Sequence, residues 1–186
     1  MNRIAITGTS NERRTILAKA LSAMTGFDCI LQIPYTIIAA KYKMAIEITE
    51  CQWPDSFVYC MEEFTQRVIS EKNLKDNFIS DGVFDEICWL KCRYPHVELI
   101  YERPMIISFE KVAANYANAQ YDYIFHIDSS DDSNITEKCL KQIYHQYNIN
   151  HNIINNQNDE EVLNQIIACL RVNPLLSAKY ALHKNL

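Results

Sequence analysis

Short apolar runs alternate along this chain with longer stretches whose apolar positions recur every three or four residues. That alternation predicts helices layered on a parallel β-sheet. Arg3 to Thr7 reads as the first strand. Ile16, Leu17, Ala20, Leu21 and Met24 then follow helical spacing up to Thr25-Gly26, a helix stop. Cys29 to Ile33 is a second strand, halted by Pro34. Pro54 sits at the first turn of a long helix with Phe57, Met61, Phe64 and Val68 on one stripe.

Asn77 to Asp81 is a short buried strand ending in an acid. The helix after it turns Val83, Phe84, Ile87 and Cys88 inward and is over by Pro95. Pro104 opens another, with Met105, Phe109, Val112, Ala113 and Tyr116 repeating, and Tyr121 to Asp128 is the fourth strand. Asn134-Ile135-Thr136-Glu137 resembles a capping box that launches Ile135, Cys139, Ile143 and Tyr147. Asn148 to Ile154 is a last strand. Asn158 and Glu161 then start a helix carrying Val162, Leu163, Ile166, Ile167 and Leu170. Beyond Pro174 a short segment, Leu175 to Leu182, is expected to dock as a helix. Neither a repeat nor a low-complexity linker interrupts the pattern, so residues 1–186 are expected to form a single α/β domain.

Composition narrows the function classes. With 18 Lys+Arg against 23 Asp+Glu, the net charge is −5, which argues against nucleic-acid or anionic-membrane binding. The apolar runs are too short for a membrane span or a signal peptide. Seven cysteines, an odd number without C-x-x-C spacing, point to reduced thiols and a cytoplasmic protein. Cys88 and Cys92 lie one helical turn apart, but without a second pair they read as buried thiols, not as metal ligands. The five histidines show no ligand spacing, and no Ser/His/Asp set can be placed together. The tyrosines at 116, 121 and 123 interleave with too few cations to stack nucleic acid. Only three glycines are present, against roughly thirteen at average usage. Any glycine-built loop must therefore manage with one at a time.

One such loop follows the first strand: Gly8-Thr9-Ser10-Asn11-Glu12-Arg13-Arg14-Thr15. It stands between a strand and an amphipathic helix, where backbone N–H groups and the helix dipole converge on an anion. Against the phosphate-loop pattern G-x-x-x-x-G-K-[ST], Gly8, the spacing and Thr15 are kept. Arg13 replaces the second glycine and Arg14 the lysine.

The opening Arg3-Ile4-Ala5-Ile6-Thr7-Gly8-Thr9 and the helix Thr15-Ile16-Leu17-Ala18-Lys19-Ala20-Leu21 resemble the P-loop small-molecule kinases. So do Phe78-Ile79-Ser80-Asp81-Gly82-Val83-Phe84-Asp85-Glu86 and Tyr121-Asp122-Tyr123-Ile124-Phe125-His126-Ile127-Asp128. The likeness is in particular to the ribosylnicotinamide-kinase-like P-loop ATPases. It implies a nucleoside-kinase-like P-loop NTPase fold with a central parallel sheet of about five strands flanked by helices. It also implies ATP and Mg²⁺ as cofactors, with a phosphoryl group passed to a small acceptor such as a nucleoside. Residues 8–15 would wrap the nucleotide phosphates, Gly8, Thr9, Ser10, Asn11, Glu12 and Arg13 among them. Arg14 would stand for the phosphate lysine, Thr15 would hold Mg²⁺, and Asp81 would act near the acceptor hydroxyl or the metal.

The chain departs from that family at its charge-handling places. Gly82 follows Asp81 where an arginine is common. Ser129-Ser130-Asp131-Asp132-Ser133-Asn134 carries two acids and no cation where a lid would carry arginines. Ile33-Pro34-Tyr35-Thr36 replaces the acid and arginine often seen at the second strand. Two functions follow. One is a kinase whose acceptor pocket is lined by Tyr35, Trp53, Trp89 and Arg93. The other is a degenerate P-loop protein without catalysis, serving as a nucleotide sensor or as an interaction module through the acidic 129–134 loop or the aromatic 53–60 segment. A homodimer is compatible with either, although no large apolar stripe is left over to demand one.

Overall fold

A computed structural model describes residues 2–8, 10–45, 47–74, 77–82, 84–94, 102–128, 135–155 and 158–171. Five parallel strands form one sheet in the order β2-β3-β1-β4-β5. They are β1 (Arg3–Gly8), β2 (Asp28–Ile30), β3 (Phe78–Asp81), β4 (Tyr123–Ile127) and β5 (Asn152–Ile154). The helices are α1 (Asn11–Thr25), α2 (Tyr35–Tyr42), α3 (Asp55–Asn73), α4 (Asp85–Arg93), α5 (Glu102–Gln120), α6 (Ile135–Gln146) and α7 (Asp159–Arg171). Parallel strands need crossovers, and helices supply them, so both faces of the sheet are covered. On one face α1 and α7 pack Leu17, Leu21, Val162 and Ile166 against Ile4, Ile6 and Phe125. On the other, α2 to α6 pack around Phe78, Phe84, Phe109 and Tyr144.

The expected strands are all present, but β2 stops at Ile30 and β5 begins only at Asn152. On α5, Met105 and Val112 of the expected stripe face outward. Three further differences concern the helices. The first is α2, which the sequence did not announce. β2 already ends at Ile30, and Pro34, expected to halt it, instead opens this helix from its N-cap position, burying Ile38 and Ala39. The second is the rotation of α1. Its buried face is Arg14, Leu17, Ala18 and Leu21, leaving Ile16 and Met24 50% and 49% exposed. The third is the inward face of α3, where Glu63, Arg67 and Glu71 are buried beside Tyr59, Cys60 and Phe64. The expected Phe57, Met61 and Val68 lie only half-buried at its edge. Charged groups hold that face because they find partners there, the condition for burying charge at all. Both Tyr116 and Tyr121 donate their hydroxyls to Glu71, at 2.7 and 2.6 Å.

Asn158 caps α7 as expected, its Oδ1 accepting from the amide of Glu160 at 2.9 Å. The capping box at Asn134, the acidic 129–134 stretch, Val83 and the segment from Pro174 onward lie outside the described residues. Among the described residues no helix is long and apolar enough to cross a membrane.

Candidate functional site

β1 delivers its last residue, Gly8, to the edge of the sheet from which α1 departs. Gly8 has φ +110°, and a Cβ there would stand 2.2 Å from the Ile127 carbonyl oxygen on β4. Only glycine lets the two strands close at that point. Beneath it, Thr7, Tyr144, His126 and Glu137 form a buried hydrogen-bonded chain joining β1, β4 and α6. Tyr144 Oη lies 3.3 Å from His126 Nδ1, and His126 Nε2 is bonded to Glu137 Oε1. These residues are far apart in sequence, so only the fold brings them together.

Just two residues, Thr9 and Ser10, separate β1 from α1, so most of the 8–15 stretch is helix. Thr9 itself lies outside the described residues. Ser10 caps α1: its hydroxyl accepts from the Arg13 amide at 3.1 Å and its carbonyl from the Arg14 amide at 3.0 Å. Asn11 and Glu12 are exposed on the first turn. Arg13 leaves the loop altogether and pairs through Nε with Asp159 Oδ1 at 2.7 Å, where α7 begins.

Arg14 turns the other way, into the protein. Its Nε donates to Asp81 Oδ1 at 3.1 Å, Nη1 lies 3.0 Å from Asp85 Oδ1, and Nη1 also donates to the Gly8 carbonyl. Thr15 Oγ1 donates to the second oxygen of Asp81 at 2.6 Å. Arg14, Thr15 and Asp81, the three residues expected to handle phosphate and metal, thus meet and satisfy one another. Burial works against the Arg14 charge, but Asp85 and then Asp81 outweigh it and push its pKa up. Asp85 is pushed up to about 6 by burial, which Arg14 opposes.

A second buried cluster joins the first. Arg67 Nη1 donates to the Asp81 carbonyl at 2.6 Å, while Nη2 lies 2.9 Å from both Glu63 Oε1 and Glu86 Oε1. Gln32, two residues beyond β2, also reaches Glu86 Oε1, at 3.3 Å. Burial first, then the neighbouring Glu63, pushes Glu86 up to about 8. Where relatives in the resemblance carry an arginine, Gly82 has φ +71°, and a Cβ there would lie 2.1 Å from Asp85 Oδ2. Asp85 occupies the space that such a side chain would need.

Sequence reasoning missed Arg67, Glu63, Glu86 and Asp85. The signal was present in Glu63-x-x-x-Arg67-x-x-x-Glu71, an i, i+4 charge pattern along one helix face. Such a pattern ordinarily marks a solvated face. Nothing local said that this one points inward.

The raised carboxyl groups carry a stability prediction. Glu86 binds a proton in the folded chain that it releases when unfolded, from its ordinary value near 4.3 up to about 8. Folding is therefore favoured at the acid end of that window, and the stability falls as pH rises through it. Asp85 adds to the slope only up to about 6. Thermal melts between pH 6 and 8 are expected to show a falling Tm, and Glu86→Gln should flatten most of that slope. Gln keeps an acceptor for Arg67 and Gln32 but cannot ionise. An equal slope in the variant would place the titration elsewhere.

Tyr35, Trp53, Trp89 and Arg93 are brought into one aromatic cluster by Tyr59 and Tyr94. Tyr35 meets Tyr59, Trp89 meets Tyr59, and Trp53 meets Tyr94 edge-on, at 5.0, 6.2 and 6.0 Å between ring centroids. Arg93 lies over Trp89 and donates to the Thr49 carbonyl at 2.7 Å. Phe57 and Met61 instead wall a separate surface groove of about 340 Å³ with Met105, Phe109 and Val112 of α5. Among the described residues no three His, Cys, Asp or Glu side chains converge as a metal site.

The strand order, the parallel sheet with helices on both faces, and the β1–α1 junction define an α/β P-loop NTPase fold. Among the solved structures it resembles is a deoxyadenosine kinase, in three complexes. Deoxyadenosine kinase from M. mycoides with bound dATP superposes with a TM-score of 0.62 at 15% identity, covering 89% of this chain and 97% of that one. The same enzyme with products dCMP and a flexible dCDP gives 0.58 at 13% identity, covering 91% and 99%. With bound dCTP it gives 0.57 at 13% identity, covering 89% and 96%. No family model matches the chain, and no curated protein matches it either.

Proposed function

We propose that this chain is a degenerate P-loop protein that keeps the architecture of a nucleoside kinase without its phosphoryl transfer. One observation carries the reading: the guanidinium standing where a phosphate lysine belongs is engaged on three sides, by Asp81, Asp85 and the Gly8 carbonyl. A phosphate would have to displace two buried carboxylates to reach it. The amides of Arg13 and Arg14 are engaged as well, by the Ser10 hydroxyl and carbonyl.

Magnesium fits this arrangement no better. Thr15 Oγ1, Asp81 and Asp85 are hard oxygen donors of the right kind. The positive charge among them is already Arg14, and a second cation would be set against a guanidinium. No transfer step is therefore derived for this site as it stands.

Calorimetry with ATP or GTP, with and without Mg²⁺, tests the proposal. No binding is expected at millimolar nucleotide, which corresponds to less than about 4 kcal/mol of affinity. Transfer of the γ-phosphate to a nucleoside at an enzyme-like rate would overturn it.

The hydrogen bond of 2.6 Å between Thr15 and Asp81 favours a second reading, a nucleoside kinase that opens on nucleotide binding. That pairing sets side by side a hydroxyl and an acid of the kind that hold Mg²⁺ in P-loop enzymes. Here Arg14 would leave the acids for the phosphates, Asp81 would stand near the acceptor, and Tyr35, Trp53, Trp89 and Arg93 would line the acceptor side. Under this reading millimolar Mg·ATP binds, and Arg14→Ala abolishes the binding.

A further inference from the structure

Beneath Gly8 lies a polar chain that the phosphate site does not use. Thr7, His126 and Tyr144 are at most 2% exposed, and Glu137 is 4% exposed. Thr7 Oγ1 and Tyr144 Oη are bonded to each other, and they lie 3.4 and 3.3 Å from His126 Nδ1. On the other side of the ring, Nε2 is bonded to Glu137 Oε1. The chain fastens α6, which supplies Glu137 and Tyr144, to Thr7 at the end of β1 and to His126 on β4.

The proton count fixes how these groups are held. A neutral imidazole protonated at Nε2 accounts for every one of these contacts. Its Nε2–H donates to Glu137, one hydroxyl donates to the other, and the remaining hydroxyl proton goes to Nδ1. The opposite tautomer would set a nitrogen lone pair against the Glu137 carboxylate. A second proton, on Nδ1, turns that nitrogen from acceptor into donor. One of the two hydroxyl protons then has no acceptor among these groups, where burial keeps water away.

We propose that His126 is an acid-operated latch: as the neutral Nε2–H imidazole it ties α6 to the end of β1, and on taking up a proton it frees α6 from Thr7. The groups that face it set this direction. Glu137 alone would favour an imidazolium. Lys141 Nζ, however, already lies 3.3 Å from the same Glu137 oxygen and 3.5 Å from Asp128, just beyond β4. A second cation gains less from a carboxylate already paired. From the segment leading into β5, the His151 ring stands 6.3 Å from His126 and 4.2 Å from Tyr144, and charging both rings would set like charges together. β1 presents the Thr7 hydroxyl, and Asp85 and Cys88 of α4 bear on the hydroxyl of Tyr144. Because Thr7 precedes Gly8, release acts on the strand end beside the 8–15 stretch. It does so whether or not that stretch takes a phosphate.

The test uses the full chain, labelled with ¹⁵N and ¹³C, at about pH 7.5 and about pH 5, either side of the ordinary imidazole value near 6.5. At the higher pH the His126 ring is expected to carry a proton at Nε2 alone, and at the lower pH at both nitrogens. Between the two, hydrogen-exchange protection of the α6 amides, corrected for intrinsic rate, should fall at least about tenfold relative to α7, as loss of a buried hydrogen bond implies. Helix α7 serves as the reference because it packs on the opposite face of the sheet. In His126→Gln, whose amide donates and accepts but cannot ionise, α6 should keep its protection relative to α7 at both pH values. That variant separates the latch from protonation of Asp85. A ring already doubly protonated at the higher pH, or still neutral at the lower, would overturn the proposal. So would a protonated His126 with α6 protection intact, or equal loosening in the variant. The ring and exchange measurements on the wild-type chain need no variant to fold.

Discussion

Arg14→Ala is expected to lower the unfolding free energy by about 3–5 kcal/mol, because it strips the partner from two buried carboxylates. Asp81 is buried and Asp85 nearly so, and Arg14 bridges them from the first turn of α1. At this chain length each kcal/mol moves Tm by roughly 2–4 °C, so the melting point should fall by roughly 6–20 °C. The loss should shrink below about pH 6, where Asp85 takes up a proton and no longer needs the cation. Denaturant unfolding at pH 7.5 and pH 5, a choice set by that value, reads both effects. A phosphate-gripping arginine would behave otherwise. It would be exposed in the free protein, and its removal would cost within about 0.5 kcal/mol, as exposed substitutions do. A melt unchanged from wild type would therefore remove Arg14 from its pairing with Asp81 and Asp85 and return it to the phosphates.

Gly8→Ala is the second large effect. The added Cβ would meet the Ile127 carbonyl oxygen at 2.2 Å and its carbon and nitrogen at 3.0 Å. All three are backbone atoms, held where Gly8 pairs with Ile127 in the β1–β4 ladder. No side chain can swing aside, so the end of β1 must lift from β4. The left-handed φ adds strain of about 1–3 kcal/mol for any residue with a Cβ. Lifting the strand end also disturbs Thr7 and its hydrogen bonds to Tyr144 and His126. A total near 4 kcal/mol or more is expected, at the exceptional end of single substitutions. Thermal melts and the yield of folded protein measure it. A variant melting within about 2 °C of wild type, less than 1 kcal/mol, would mean that β1 and β4 do not close so tightly at Gly8.

Much of the fold is legible in the order of residues, and the reason is local. Parallel strands covered on both faces are continuous apolar runs, so Arg3–Gly8, Phe78–Asp81 and Tyr123–Ile127 stand out without knowledge of their neighbours. Helices with a one-sided apolar stripe announce themselves by spacing, and Asn158 marks the start of α7 by capping it. The misses are also physical. At Pro34 a stop signal and a start signal are the same residue, so α2 is hidden. In α1 the helix turns its arginine inward, and two apolar side chains move out to make room. In α3 an i, i+4 run of charges that would suit a wet surface faces Asp81 and Glu86 instead.

By itself, the sequence determined the order of every element but α2, the place of the β1–α1 junction and the residue types gathered there. These follow from periodicity, caps and one well-placed glycine, all of which act within a few residues. Only the tertiary structure decided what those residues do to one another. Arg14 and Asp81 stand 67 positions apart, and Arg67 reaches back to Glu63 but forward 19 to Glu86. A buried charge takes its meaning from its partner, and partners that distant are chosen by strand order and helix packing.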